Sequence, residues 1–264
     1  MDLGLQGKKA LITAASSGLG KAIATELVRE GCSVTIASRN VDALEKAAEE
    51  MRSIRSNAEV LIHHVNVADV ESVRQLVKTT NDKWGRIDLL ITNAGGPPPG
   101  GFDQMTDDDW HRAFELNLLS VVRLIRETLP LMRKNKYGRI LNVSSMSVKE
   151  PISNLILSNS IRAGVVGMLK TLAAEVAKEG ILIHNLAPGR IATDRIVQLD
   201  KASADRLGLS MEKVRENQEA AIPIGRYGNP NEFAKVAVFL LSEANTYMTG
   251  ETTMVDGGSL RSVY

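Results

Sequence analysis

One cysteine, two tryptophans, four tyrosines and four phenylalanines are all that 264 residues hold of those types. The lone Cys32 excludes an internal disulfide and suits a reducing compartment. Charge of one sign is just as scarce. Lys and Arg total 32 against 31 Asp and Glu, a net +1 that gives no field to gather nucleic acid or an anionic membrane. No apolar run approaches the ~20 residues needed to span a bilayer. The start, Met1-Asp2-Leu3-Gly4-Leu5-Gln6-Gly7, lacks a basic stretch followed by an apolar one, so no secretory leader is expected and the cytoplasm is the default compartment. His63, His64, His111 and His184 have no metal-ligand spacing, and residues 63 and 64 would face opposite sides of a strand. No metal site is expected.

What the chain does have is alternation. Short apolar runs at Ala10 to Thr13, Val34 to Ala37, Val60 to Val65, Leu89 to Thr92, Ile140 to Val143 and Ile181 to Leu186 are separated by helical patterns, and a last strand is expected around Thr253 to Val255. One long helix is expected around Trp110 to Met132 and another over Leu155 to Ala177. Strands this short and apolar, alternating with helices, predict a Rossmann-type doubly wound parallel sheet of about seven strands with helices on both faces. Nothing marks a boundary, so residues 1–264 are expected to form a single dinucleotide-binding domain. Gly95-Gly96-Pro97-Pro98-Pro99-Gly100-Gly101 should be a stiff, partly extended loop. Residues 189–224 are polar and weakly helical, and long enough for a substrate lid.

The first strand runs into Thr13-Ala14-Ala15-Ser16-Ser17-Gly18-Leu19-Gly20. Glycines at such a turn let backbone N–H groups approach a pyrophosphate, and the following helix N-terminus favours its charge. Alone the pattern is weak, because Gly-Xaa-Gly also serves plain helix packing. Asn93-Ala94-Gly95 after the fourth strand, Pro188-Gly189 with Ile191 and Thr193 after the sixth, and the ending Val255-Asp256-Gly257-Gly258 add to it. With these motifs in this order the chain resembles the short-chain dehydrogenase/reductase family over essentially its whole length, and the 3-oxoacyl-[acyl-carrier-protein] reductases within it. The family opens Thr-Gly-Xaa-Xaa-Xaa-Gly-Xaa-Gly, so Ala14 replaces its first glycine. A negative φ at Ala14 would tolerate the methyl group with a slightly altered turn. Thr92 likewise stands for the first Asn of the family's Asn-Asn-Ala-Gly.

The second strand ends Ser38-Arg39-Asn40. An acidic residue here would bind a ribose 2′-hydroxyl; Ser38 removes it, and Arg39 offers a planar cation suited to a 2′-phosphate. A surface arginine at a strand end is the bland alternative. NADP is therefore the expected cofactor, in preference to NAD. Asn66-Val67 follows the third strand where the family has Asp-Val near the adenine.

By the same resemblance, Asn117 would hold a helix and a proton-relay water, and Ser145 would hydrogen-bond a substrate carbonyl. Helix packing and a simple turn are their ordinary alternatives. The family then places a tyrosine and a lysine where this chain has Ser158 and Arg162, with Ala163-Gly164 continuing the pattern. A serine is a far weaker acid than a phenol, and a guanidinium with a pKa above ~12 relays protons poorly, though Arg162 can still hydrogen-bond the nicotinamide ribose. Losing a general acid costs about 10²–10⁴ in rate. Tyr137, Tyr227, Tyr247 and Tyr264 lie outside the motif, and Lys149 and Glu150 are candidate proton donors. The expectation is an NADP(H)-dependent reductase of a carbonyl such as a 3-oxoacyl thioester, with non-standard proton delivery. A catalytically silent NADP(H)-binding sensor or partner subunit is the alternative. A small-molecule carbonyl or alcohol is the expected partner, and the family implies a homo-oligomer, a tetramer or dimer.

Overall fold

The computed structural model describes residues 1–55 and 57–263. Seven parallel strands form one sheet: β1 (Lys9–Thr13), β2 (Ser33–Ser38), β3 (Val60–His64), β4 (Leu89–Thr92), β5 (Gly138–Val143), β6 (Ile181–Pro188) and β7 (Glu251–Val255). Their order is β3-β2-β1-β4-β5-β6-β7. The chain winds outward from β1 in one direction, then returns to β4 and winds in the other. This is the doubly wound α/β sheet that the alternation predicts.

Inner strands are buried on both faces, so successive residues feed opposite cores. Ile12, Leu89, Ile91 and Leu141 pack in one cluster with Ile23, Leu27 and Phe233. Leu11, Leu90, Ile140 and Ile183 pack in the other with Val73, Leu124 and Val165. The first core is covered by α1 (Gly18–Arg29), α2 (Val41–Ile54) and α9 (Pro230–Leu241). The second lies under α3 (Val70–Trp84), α5 (Ser120–Asn135) and α6 (Ile156–Val176). No helix among the described residues is long and apolar enough to cross a membrane.

A largely buried polar row crosses four neighbouring strands. Thr92, Asn142, Asn185 and Thr252 stand in register. Thr92 Oγ1 donates to Asn142 Oδ1 (2.9 Å), Asn142 Nδ2 to Asn185 Oδ1 (2.7 Å) and Asn185 Nδ2 to Thr252 Oγ1 (3.2 Å). Each central asparagine both gives and receives, which removes the penalty of burying amides.

Two expectations need correction. The helix read over Trp110 to Met132 is α4 (Asp107–Phe114) and α5, joined through a π-helical turn at Glu115–Leu119. An extra residue per turn widens the helix without breaking the apolar pattern, so the sequence hides it. Residues 189–224 are also more ordered than their composition suggests, holding α7 (Asp194–Leu207) and α8 (Met211–Ala220). The Pro-rich stretch is a loop, as expected, with Gly100 bridging to Leu155. Tyr264 lies outside the described residues.

Candidate active site

A doubly wound sheet opens a crevice where its winding reverses, here between the C-terminal ends of β1 and β4. The turns Ala14 to Gly20 and Asn93 to Gly95 leave those ends. Thr13 Oγ1 donates to Asn93 O (2.8 Å) and accepts from Asn93 N (3.0 Å), tying the two turns together. Asn93 Nδ2 donates to Ala14 O (3.3 Å). A Cβ on Gly20 would come within 2.4 Å of Ala14 O, so only glycine lets α1 approach this closely.

Ala14 itself departs from the sequence expectation. Its φ is +48°, in the left-handed region that favours glycine, and the alanine bears the strain. The bonds of its neighbours hold it there: Ala15 N donates to Ala37 O at 3.2 Å, beside the Asn93 contact.

Beyond this turn lies a cavity of about 250 Å³. Ser16, Ser17, Ser38, Arg39, Asn66, Val67, Ala94 and Gly95 all line it. So does Ala14, and so do Asn40, Val65 and Leu116, which motif reading did not single out. Asn40 is foreshadowed by its place after Arg39, where it caps α2 by accepting from Ala43 N (3.0 Å). Arg39 is exposed and has no ion pair among the described residues. The start of α1 suits an anion. Ser17 makes no side-chain cap bond and no acidic residue occupies the first turn, so the early N–H groups, including those of Gly18 and Leu19, are not met by side chains.

The turn after β6 completes the crevice. Gly189 N donates to Val255 O (2.9 Å), and a Cβ there would meet Asp256 Cα at 2.7 Å. Pro188 and Gly189 are thereby locked against the end of β7. Ile191 is buried against Gly228. Thr193 faces Gly18 across the gap, its Cγ2 3.8 Å from where a Cβ would sit.

Asn117 sits in the π-helical turn and is buried. Its Nδ2 donates to Gly95 O (2.8 Å), while Oδ1 is buried without a partner among the described residues. An orphaned amide oxygen of this kind is an acceptor for a water or ligand proton. Ser145 follows β5 and caps a short turn by accepting from Ser147 N (3.2 Å). Ser158 is buried in the first turn of α6. Arg162, one turn on, donates through Nη1 to Val143 O (3.2 Å) at the end of β5. Burial, and then the nearby Arg195, push its guanidinium down to about 10.

The other candidate acids are engaged elsewhere or exposed. Tyr137 lies between Lys8 and Arg139, with burial raising its phenol. Tyr227 Oη donates to Asp200 (2.9 Å) and is pushed up to about 12 by burial. Tyr247 is fully exposed. Lys149 is exposed, and Glu150 accepts from Arg261 N (3.3 Å). Among the described residues, no three His, Cys, Asp or Glu side chains cluster as metal ligands.

A family model described as enoyl-(acyl carrier protein) reductase matches residues 13–259. The chain belongs to the short-chain dehydrogenase/reductase family. It is 31% identical to the NADPH-dependent reductase BacG of Bacillus subtilis over 256 residues, 97% of this chain and 99% of that one. It is 37% identical to the 3-oxoacyl-[acyl-carrier-protein] reductase FabG of Vibrio harveyi, covering 97% of this chain and 98% of that one. Among solved structures it superposes on the L-sorbose reductase of Gluconobacter frateurii, complexed with NADPH and L-sorbose, with a TM-score of 0.94 at 33% identity over the whole of both chains.

Proposed function

We propose that the protein is an NADP(H)-dependent reductase of a small carbonyl compound, working without a phenol at position 158. The observation that carries this is the cavity at the winding reversal. It gathers Ser38, Arg39, Asn66 and the Ala14–Gly20 turn on one wall, with an uncapped helix N-terminus beside them. The relatives named NADPH-dependent reductases support the same reading.

The residues fit the nucleotide. N–H groups of Gly18, Leu19 and Gly20 would hold the pyrophosphate, and Ser38 with Arg39 the 2′-phosphate. Asn66 and Val67 would border the adenine; Asn93, Ala94, Gly95, Pro188, Gly189, Ile191 and Thr193 would border the remainder. Once bound, NADPH supplies a hydride. Ser145 orients the substrate carbonyl by donating to its oxygen, and Asn117 Oδ1 holds a water within the site. Ser158 is too short to reach that oxygen directly and acts through water. Arg162 stays charged near neutral pH, so it stabilises negative charge on the oxygen and does not serve as the acid. Residues 189–224 serve as the lid, anchored where Asp200 binds both Arg190 (2.6 Å) and Tyr227. A homo-oligomer is part of the same reading.

Calorimetric titration with NADPH and NADH, followed by NADPH oxidation against ketones, 3-oxoacyl thioesters and quinones, tests this. Tighter NADPH binding with turnover on a carbonyl is expected. Binding without turnover across the panel would favour a silent sensor, a reading that the absence of a phenol at Ser158 supports. No binding would sink both.

A further inference from the structure

Two arginines beside the reaction centre have no counter-ion among the described residues. Arg162 is tied to Val143 O at the end of β5. Arg195, in the first turn of α7, donates through Nη2 to Pro97 O (2.8 Å) in the loop after β4. Its guanidinium lies close over Gly96, 2.9 Å from where a Cβ would be. Among the described residues neither arginine forms an ion pair. Arg190, five residues before Arg195, shows what neutralisation looks like here: it is paired with the buried Asp200 at 2.6 Å.

Each free guanidinium is thus held by one neutral carbonyl, leaving most of its N–H donors unused. Arg162 and Arg195 are near enough to repel, and burial disfavours the charge on both. Two uncompensated, partly buried cations are costly unless an anion joins them. The nucleotide phosphates have other places: the start of α1 and Arg39, on the β1–β2 side of the crevice. Arg162 and Arg195 are anchored on the β4–β5 side, where Ser145 stands.

We propose that Arg162 and Arg195 together bind an anionic group of the substrate, a carboxylate, and so select oxo acids over neutral carbonyl compounds. This rests on the reductase reading of the site. A guanidinium matches a carboxylate through paired N–H donors, and Arg162 can reach it with one edge while the other stays on Val143 O. Closure of α7 over the crevice would bring Arg195 and the bound anion together.

The probes are pyruvate, 4-oxopentanoate and 6-oxoheptanoate, each with its methyl ester, titrated calorimetrically into protein saturated with NADP+. At least one acid should bind about ten- to a hundredfold tighter than its ester. Arg195→Met should bring that pair within about twofold, with Arg195→Lys in between. Circular dichroism and the NADPH dissociation constant of each variant establish that the fold and the nucleotide site persist. Equal binding of every acid and ester to the wild type would overturn the proposal. So would an Arg195→Met protein that keeps its acid preference but loses NADPH affinity, because the anion would then be the cofactor's phosphate. If the wild type fails to bind NADPH, the reductase reading falls separately. The same acids titrated into nucleotide-free protein still decide whether the arginine pair prefers a carboxylate.

Discussion

Replacing Ala14 by glycine should stabilise the protein, although the substitution removes a methyl group from a half-buried turn. Ala14 is held at φ +48°, where an L-residue other than glycine costs roughly 1–2 kcal/mol. Glycine escapes that strain but gives the unfolded chain more freedom, a loss of roughly 0.5–1 kcal/mol. The net gain is therefore up to about 1.5 kcal/mol, which for a chain of this length raises Tm by roughly 3–6 °C at most. Valine reverses the sign. A β-branched residue at positive φ is a severe outlier, so Ala14→Val should lose about 2 kcal/mol or more. Thermal and urea unfolding of the three proteins, without nucleotide, measure both. A lower Tm for Ala14→Gly, or a valine variant as stable as the parent, would refute the reasoning by showing that this position is not left-handed in solution.

Arg39→Ala should weaken NADPH binding by about ten- to a hundredfold while leaving NADH within about twofold, as calorimetry would show. Equal losses for both nucleotides would place Arg39 away from the 2′-phosphate. Ser158→Tyr combined with Arg162→Lys gains a general acid and gives up the guanidinium's stabilisation, so ketone reduction should rise by at most about 10² if the remaining pocket is that of a reductase. An unchanged rate in a variant of normal Tm would mean the pocket has diverged elsewhere. His184 is buried, its Nε2 accepting from Asn245 Nδ2 (2.9 Å), and burial with Arg139 holds its imidazole down at about 4. The unfolded chain takes up this proton near pH ~6.5, so the stabilisation is whole above that pH and is lost as pH falls toward 4, by up to roughly 3 kcal/mol. Urea midpoints between pH 7 and 5 should fall, and should fall less in His184→Gln; identical slopes would show that His184 is not the group responsible.

Much of this was legible because a doubly wound sheet puts every strand-to-helix turn at one end. Once Ala10 to Thr13 and Leu89 to Thr92 read as parallel strands, the turns after them had to meet, and Ser16, Arg39, Asn66 and Gly95 do line one cavity. What stayed hidden depends on tertiary context. Alanine prefers a negative φ, so nothing local announces that Asn93 and Ala37 hold Ala14 on the other side of the map. The π turn at Asn117 leaves the spacing of Leu116, Val121 and Leu124 apolar throughout, and only coordinates reveal it. Arg190 and Arg195 look alike in sequence. Their difference is Asp200, which turns toward one and leaves the other bare.

That bare charge bears on whether the chain can be an enzyme at all. A missing general acid removes about 10²–10⁴ in rate. A preorganised donor aimed at developing negative charge supplies about 10²–10³ when it acts in a site that excludes water. The two ranges overlap, so Arg162, tied to the end of β5 two residues before Ser145, can offset part of what Ser158 gives up, provided the substrate's oxygen tolerates negative charge before a water protonates it. Arg162 is suited to this because nothing among the described residues neutralises it: its guanidinium donates to the Val143 carbonyl, and it stays charged at neutral pH even with its pKa pushed down to about 10. A phenol–lysine pair delivers a proton. A serine beside a guanidinium with N–H donors to spare stabilises the oxygen that lacks one, and the substrates it favours should be those whose reduced form is a good anion.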